Sequence, residues 1–107
     1  MVLSHPSRAQ LRIENVLSAL GNPIRLGAVR VLDAGGEYNC TSVLNVLGVT
    51  AKSTMTHHWR VLRESGVIRQ TPSGREYLLE LRRTDLDARY PGLLDAVLNG
   101  SRTDENS

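Results

Sequence analysis

The residues best suited to chemistry lie between Thr50 and Arg60. An α-helix advances about 100° per residue. With Ser53 set at zero, Met55 falls at about 200°, Trp59 at about 240° and Leu62 at about 180°, which makes one apolar stripe. Ser53, Thr56, His57 and Arg60 fall on the opposite side. Side chains of that size and polarity can donate and accept at base edges in a major groove, which admits one helix. Thr50 is a good N-cap for this helix, which the sequence predicts over residues 51–65. Lys52 sits in its first turn, where a cation opposes the helix dipole. That placement makes sense if an anion docks there, since free N–H groups at a helix start also attract phosphate. The plainer alternative is an exposed lysine on a solvated helix.

The other candidate groups carry less. His57 points to the exposed side and suits a base or phosphate contact. His58, at about 140° on the same wheel, lies at the margin of the apolar stripe and reads as a partly buried structural residue. Adjacent histidines on a helix diverge, so the pair makes a poor metal chelate. Trp59 reads as a core anchor. Arg75 follows Pro72-Ser73-Gly74, a turn sequence, and an arginine at a loop tip can enter a minor groove or grip a phosphate. Cys40 reads as a small buried apolar residue; an oxidant-sensing role needs an exposed, low-pKa thiolate. A single cysteine forms neither an internal disulfide nor a thiolate metal cluster.

The elements that must position these groups follow from periodicity. Ile13, Val16, Leu17 and Leu20 mark a first amphipathic helix. Gly21-Asn22-Pro23 ends it and starts a second: Asn22 as cap, Pro23 in the first turn. The second helix runs over about 23–34, with Ile24, Ala28, Val31 and Leu32 inward, and stops at Gly35-Gly36. Thr41 or Ser42 is expected to cap a short third helix containing Val43, Leu44 and Leu47, closed by Gly48. A short helix, a glycine turn and a longer helix make a helix-turn-helix. Strands are expected at 67–71 and 76–82, joined through Pro72-Ser73-Gly74 into a hairpin. Thr84 to Asp87 resembles a capping box and opens a last helical stretch that Pro91 interrupts. Residues 99–107 are expected to form a disordered tail.

With 107 residues, 40% hydrophobic and 22% charged, the chain fits one soluble domain over residues 1–98. No apolar run approaches the roughly 18 residues of a membrane span. No basic flank precedes a long apolar stretch at the N-terminus, so a cytoplasmic protein with no membrane partner is expected. Net charge is +2, but residues 50–83 carry seven basic and three acidic side chains. An electropositive middle suits a polyanion.

With these segments in place, the chain resembles the ArsR/SmtB-type winged helix-turn-helix transcriptional repressors. LSALGNPIRLGAVRVL (17–32) is similar to that family's second helix. LGVTAKSTMTHHWRVLRESGVI (47–68) is similar to its recognition helix and wing entry, and GREYLLEL (74–81) to its returning wing strand. The resemblance spans about residues 10–98. It implies a mainly α fold with a small β-hairpin, dimerising through the N- and C-terminal helices. It also implies a homodimer that binds a double-stranded DNA operator; no inducer can be named. Thr50, Lys52, Ser53, Thr56, His57, Arg60 and Arg75 are the expected DNA-binding residues.

The departures concern metals. The family's sensors often carry a two-cysteine motif, ELCVCDL, at the start of the third helix. Here Asn39 and Thr41 stand at the two ligand positions, with Cys40 between them. In a second family site on the last helix, Asp85 can stand for the aspartate, but Asp87 and Leu98 replace the histidines. No metal and no cofactor is expected. The alternative reading is a winged-helix module that binds protein without specific DNA binding. An enzyme is not expected, since no nucleophile–base spacing, phosphate loop or catalytic carboxylate pair is present.

Overall fold

The computed structural model describes residues 3–48 and 52–106. Helix α1 (Ile13–Leu20) is followed at once by α2 (Pro23–Asp33). The Asn22 side chain accepts from the backbone N–H of Ile24 and of Arg25, at 2.9 and 3.1 Å, as the sequence predicts. A two-residue strand β1 (Tyr38–Asn39) leads into α3 (Cys40–Leu47). The cap of α3 is Asn39, ahead of the expected Thr41 or Ser42. Its Oδ1 accepts from Ser42 N at 2.8 Å, and Ser42 Oγ accepts from Asn39 N at 2.9 Å. Both orphan donors are thereby satisfied by a reciprocal box. Gly48, at φ +71°, closes α3 in the left-handed region that favours glycine.

Helix α4 (Lys52–Glu64) completes the helix-turn-helix. Strands β2 (Ile68–Ser73) and β3 (Glu76–Leu81) form an antiparallel wing, closed by the pair Ser73–Glu76. The turn is therefore Gly74-Arg75, not Pro72-Ser73-Gly74. Gly74 takes φ +62°, as the first position of a tight hairpin loop allows. Pro72 fits inside β2 because the sheet order β1-β3-β2 puts that strand at an edge. Tyr38 pairs with Leu79, so β1 adds a third strand that periodicity does not foresee. Two residues are too few to show alternation.

Helices α5 (Arg83–Arg89) and α6 (Leu93–Glu105) flank Pro91 and Gly92. The break expected at Pro91 is present. Thr84 does not cap α5, which begins one residue earlier behind Arg82 with no side-chain cap. The region expected as a disordered tail is helical through Glu105. Its polar sequence is held by distant partners rather than by apolar burial. Arg30 of α2 pairs with Glu105, and Arg102 reaches Asp33 of α2 at 3.4 Å.

One core unites the layers: Val16, Ala19 and Leu20 of α1, Ala28, Val29 and Leu32 of α2, Val43 and Leu44 of α3, and Leu86, Leu94 and Leu98 of the last two helices. Leu11, just ahead of α1, is buried over Gly66 at the end of α4. A Cβ on Gly66 would collide with Leu11 Cδ2, and its φ is +84°. Only glycine fits there. Among the described residues no helix is long and apolar enough to cross a membrane. The architecture is a winged helix-turn-helix, mainly α with a small sheet.

Candidate nucleic-acid interface

The two sides of α4 part as the helical wheel requires. Met55, Trp59 and Leu62 are buried. Each stabilises the packing of α4 by roughly 2 kcal/mol. Ser53, Thr56, His57 and Arg60 are all exposed on the opposite side, and Thr54 is exposed beside them. The structure therefore brings four of the expected site residues onto one open helix face. Thr50 lies outside the described residues, and so does the side chain of Lys52. Arg75 is exposed at the wing tip, inside the turn itself.

The pairing of the arginines separates Arg60 and Arg75 from the rest. Arg8 and Arg82 hold Asp85, Arg12 holds Glu14, and Arg83 holds Asp33. Arg63 donates to Gln70 Oε1, and Arg89 to the Tyr90 hydroxyl. Arg60 and Arg75 have no hydrogen-bond or ion-pair partner among the described residues. Unpaired guanidiniums on an open face are available to bases or phosphates.

His58 is buried, as expected for a structural residue, and its Nδ1 lies 3.1 Å from Arg25 Nη1. A guanidinium only donates, so Nδ1 accepts and the ring is neutral. Burial first, then the charges of Arg25 and His57, hold its pKa below the ordinary 6.5. Arg25 also donates to the carbonyls of Ala19 and Ser18, at 2.7 and 3.2 Å. The sequence places Arg25 in the second helix but assigns it no role; only the fold brings it to His58.

The positions compared with metal ligands have other duties. Asn39 caps α3, and Thr41 Oγ1 donates to Glu76 Oε1 at 2.9 Å, tying α3 to the wing. Asp85 accepts from Arg8 Nε at 2.8 Å and from Arg82 Nε at 3.0 Å. Those bonds hold its carboxyl below the usual carboxylate range. Its oxygens already join the N-terminal segment to the end of the wing.

No family model matches the chain, and no curated protein matches it. Solved structures do. One is an ArsR-family transcriptional regulator, 20% identical, with a TM-score of 0.63 over 89% of this chain and 97% of that one. The transcriptional repressor BigR from Xylella fastidiosa is 24% identical, with a TM-score of 0.59 over 73% of this chain and 85% of its own. An ArsR-like transcriptional regulator from a Rhodococcus species is 19% identical, with a TM-score of 0.60 over 87% of this chain and 83% of that one. These likenesses show that the fold is the one those regulators share.

Proposed function

We propose that this chain is a homodimeric, sequence-specific DNA-binding transcriptional repressor of the cytoplasm. The observation that carries the reading is the open polar face of α4 with Arg60 on it, together with Arg75 exposed at the wing tip, both without partners among the described residues. Ser53, Thr56, His57 and Arg60 read base edges in the major groove. Thr50, Lys52 and Arg75 hold phosphates or, for Arg75, the minor groove. The regulators that share the fold support this assignment.

Two copies are needed to address a two-fold site. On α1, Ile13 and Leu17 are 38% and 47% exposed although they belong to its apolar stripe. A two-fold pairing through the first and last helices would cover them. It would also set two reading helices about 34 Å apart, one turn of DNA. The reading calls for neither metal nor cofactor, since Asn39, Thr41 and Asp85 are spent on structural hydrogen bonds.

The test is to select genomic fragments with the purified protein, sequence them, and titrate binding against salt. A recurring two-fold motif, bound with an affinity that falls steeply as salt rises, supports the reading. Binding without sequence preference, or independent of salt, contradicts it and leaves the protein-binding module.

A further inference from the structure

Three helices meet at one guanidinium. Arg25 leaves the first turn of α2, where Asn22 fixes its backbone. Its Nε and Nη2 donate to the Ala19 and Ser18 carbonyls at the end of α1, and its Nη1 to His58 Nδ1 in the middle of α4. Ala19 O is among the last four carbonyls of α1, which lack partners within that helix. His58 stands between His57, on the open face, and Trp59, in the core.

Resting on the DNA-binding reading above, we infer that Arg25 and His58 are positioning residues for base recognition: their hydrogen bond sets the rotation of α4, and it does so only while His58 is neutral. The apolar anchors of α4 choose which side faces inward, and a directional hydrogen bond adds the finer angular constraint that apolar burial does not itself supply. Base recognition needs hydrogen bonds of about 2.7–3.2 Å with near-linear geometry. A rotation of about 20° moves an atom at a side-chain radius of roughly 5–6 Å by about 2 Å. That is enough to break every contact made by Ser53, Thr56, His57 and Arg60.

Protonation of His58 would put a hydrogen on Nδ1, facing the Arg25 donors, and set a second cation against the guanidinium. The charged or titratable groups bearing on the ring are Arg25 from α2 and His57 from α4 itself. Arg25 is itself held by the Ser18 and Ala19 carbonyls of α1. Burial keeps the ring neutral near pH 7, so the bridge opens on the acid side.

The test uses the full chain and two duplexes, a fragment selected as above and its scrambled sequence. Affinity for each is measured from pH 7.5 to pH 5.5 at fixed salt, with folding followed by circular dichroism. Wild type and its His58 variants are compared; His57, one of the proposed base readers, is kept in all of them, so what it contributes is common to every profile. From pH 7.5 to pH 5.5 the ratio of selected to scrambled affinity falls about tenfold further in wild type than in His58→Asn, whose Oδ1 accepts from Arg25 without titrating; about tenfold is the scale of one lost base contact. Affinity for the scrambled duplex does not fall with it. His58→Leu, which offers no acceptor, lowers the ratio at every pH. Equal acid falls in wild type and His58→Asn, or a full ratio in folded His58→Leu, overturn the inference while leaving DNA binding intact. A wild-type protein with no preference at pH 7.5 removes the proposed function, and this inference with it.

Discussion

Arg83 Nη2 stands 2.6 Å from Asp33 Oδ1, joining the start of α5 to the end of α2 across 50 residues of sequence. The same carboxylate receives Arg102 of α6 at 3.4 Å. Arg83 turns its Nη1 to Asp87 and Asp95, at 3.3 and 3.0 Å. One network thus fastens the last two helices to the helix that carries Arg25. Its hydrogen bonds, those to Asp33 foremost, raise the pKa of the Arg83 guanidinium further, so the charge is permanent.

Asp33→Asn is expected to lower stability by about 1 kcal/mol, since the network is only partly shielded from solvent. It should also loosen the end of α6, which Arg102 helps to hold. Chemical denaturation measures the first effect, and amide exchange over residues 99–105 the second. An unchanged midpoint with unchanged protection contradicts the fastening role.

Arg60 and Arg75, which have no partner among the described residues, should separate by kind of loss. Arg60→Ala is expected to relax sequence preference, costing about 1–3 kcal/mol on the selected fragment and much less on scrambled DNA. His57→Ala should act the same way. Arg75→Ala and Lys52→Ala are expected to weaken binding on every sequence and to lower the salt slope by about one unit. Equal loss on all sequences for Arg60→Ala would remove it from the base readers, and an unchanged slope would remove Arg75 from the phosphate contacts.

His5 gives the fold a pH dependence of definite sign. Its Nε2 accepts from Gln70 N at 3.0 Å, so the ring is neutral in the folded chain. Burial lowers its pKa from 6.5, with Arg69, Arg63 and Arg82 pushing the same way against a hydrogen bond to Leu3. The folded pKa is below the unfolded one, so protons favour the unfolded chain. Stability is therefore full above about pH 6.5 and declines as pH falls below it. Urea midpoints at pH 7.5 and 5.5 should differ in that direction, and His5→Gln should narrow the gap. A midpoint that rises in acid contradicts the assignment.

The open face of α4 is legible in the sequence because its helical period is strong. The cap at Asn22 is legible because Pro23 marks the first turn beside it. The cap of α3 is not: Asn39, Thr41 and Ser42 can all cap a helix, and only the pairing of the Tyr38–Asn39 strand with Leu78 and Leu79 fixes where the helix must begin. The wing turn lies further along the chain than its residues suggest, because Pro72 is a turn former that an edge strand also tolerates. The helical end of α6 leaves no local trace, since its support comes from Arg30 and Asp33, far back in the sequence. The Arg25–His58 bond is invisible for the same reason.

The central claim is that the open face of α4 enters a major groove, and guanine methylation interference on a selected fragment tests it most directly. Methyl groups at guanine N7 project into that groove. The account predicts interference in two patches about one helical turn apart, with Arg60→Ala abolishing it at specific guanines. Full binding to DNA methylated at every guanine within the site would contradict it.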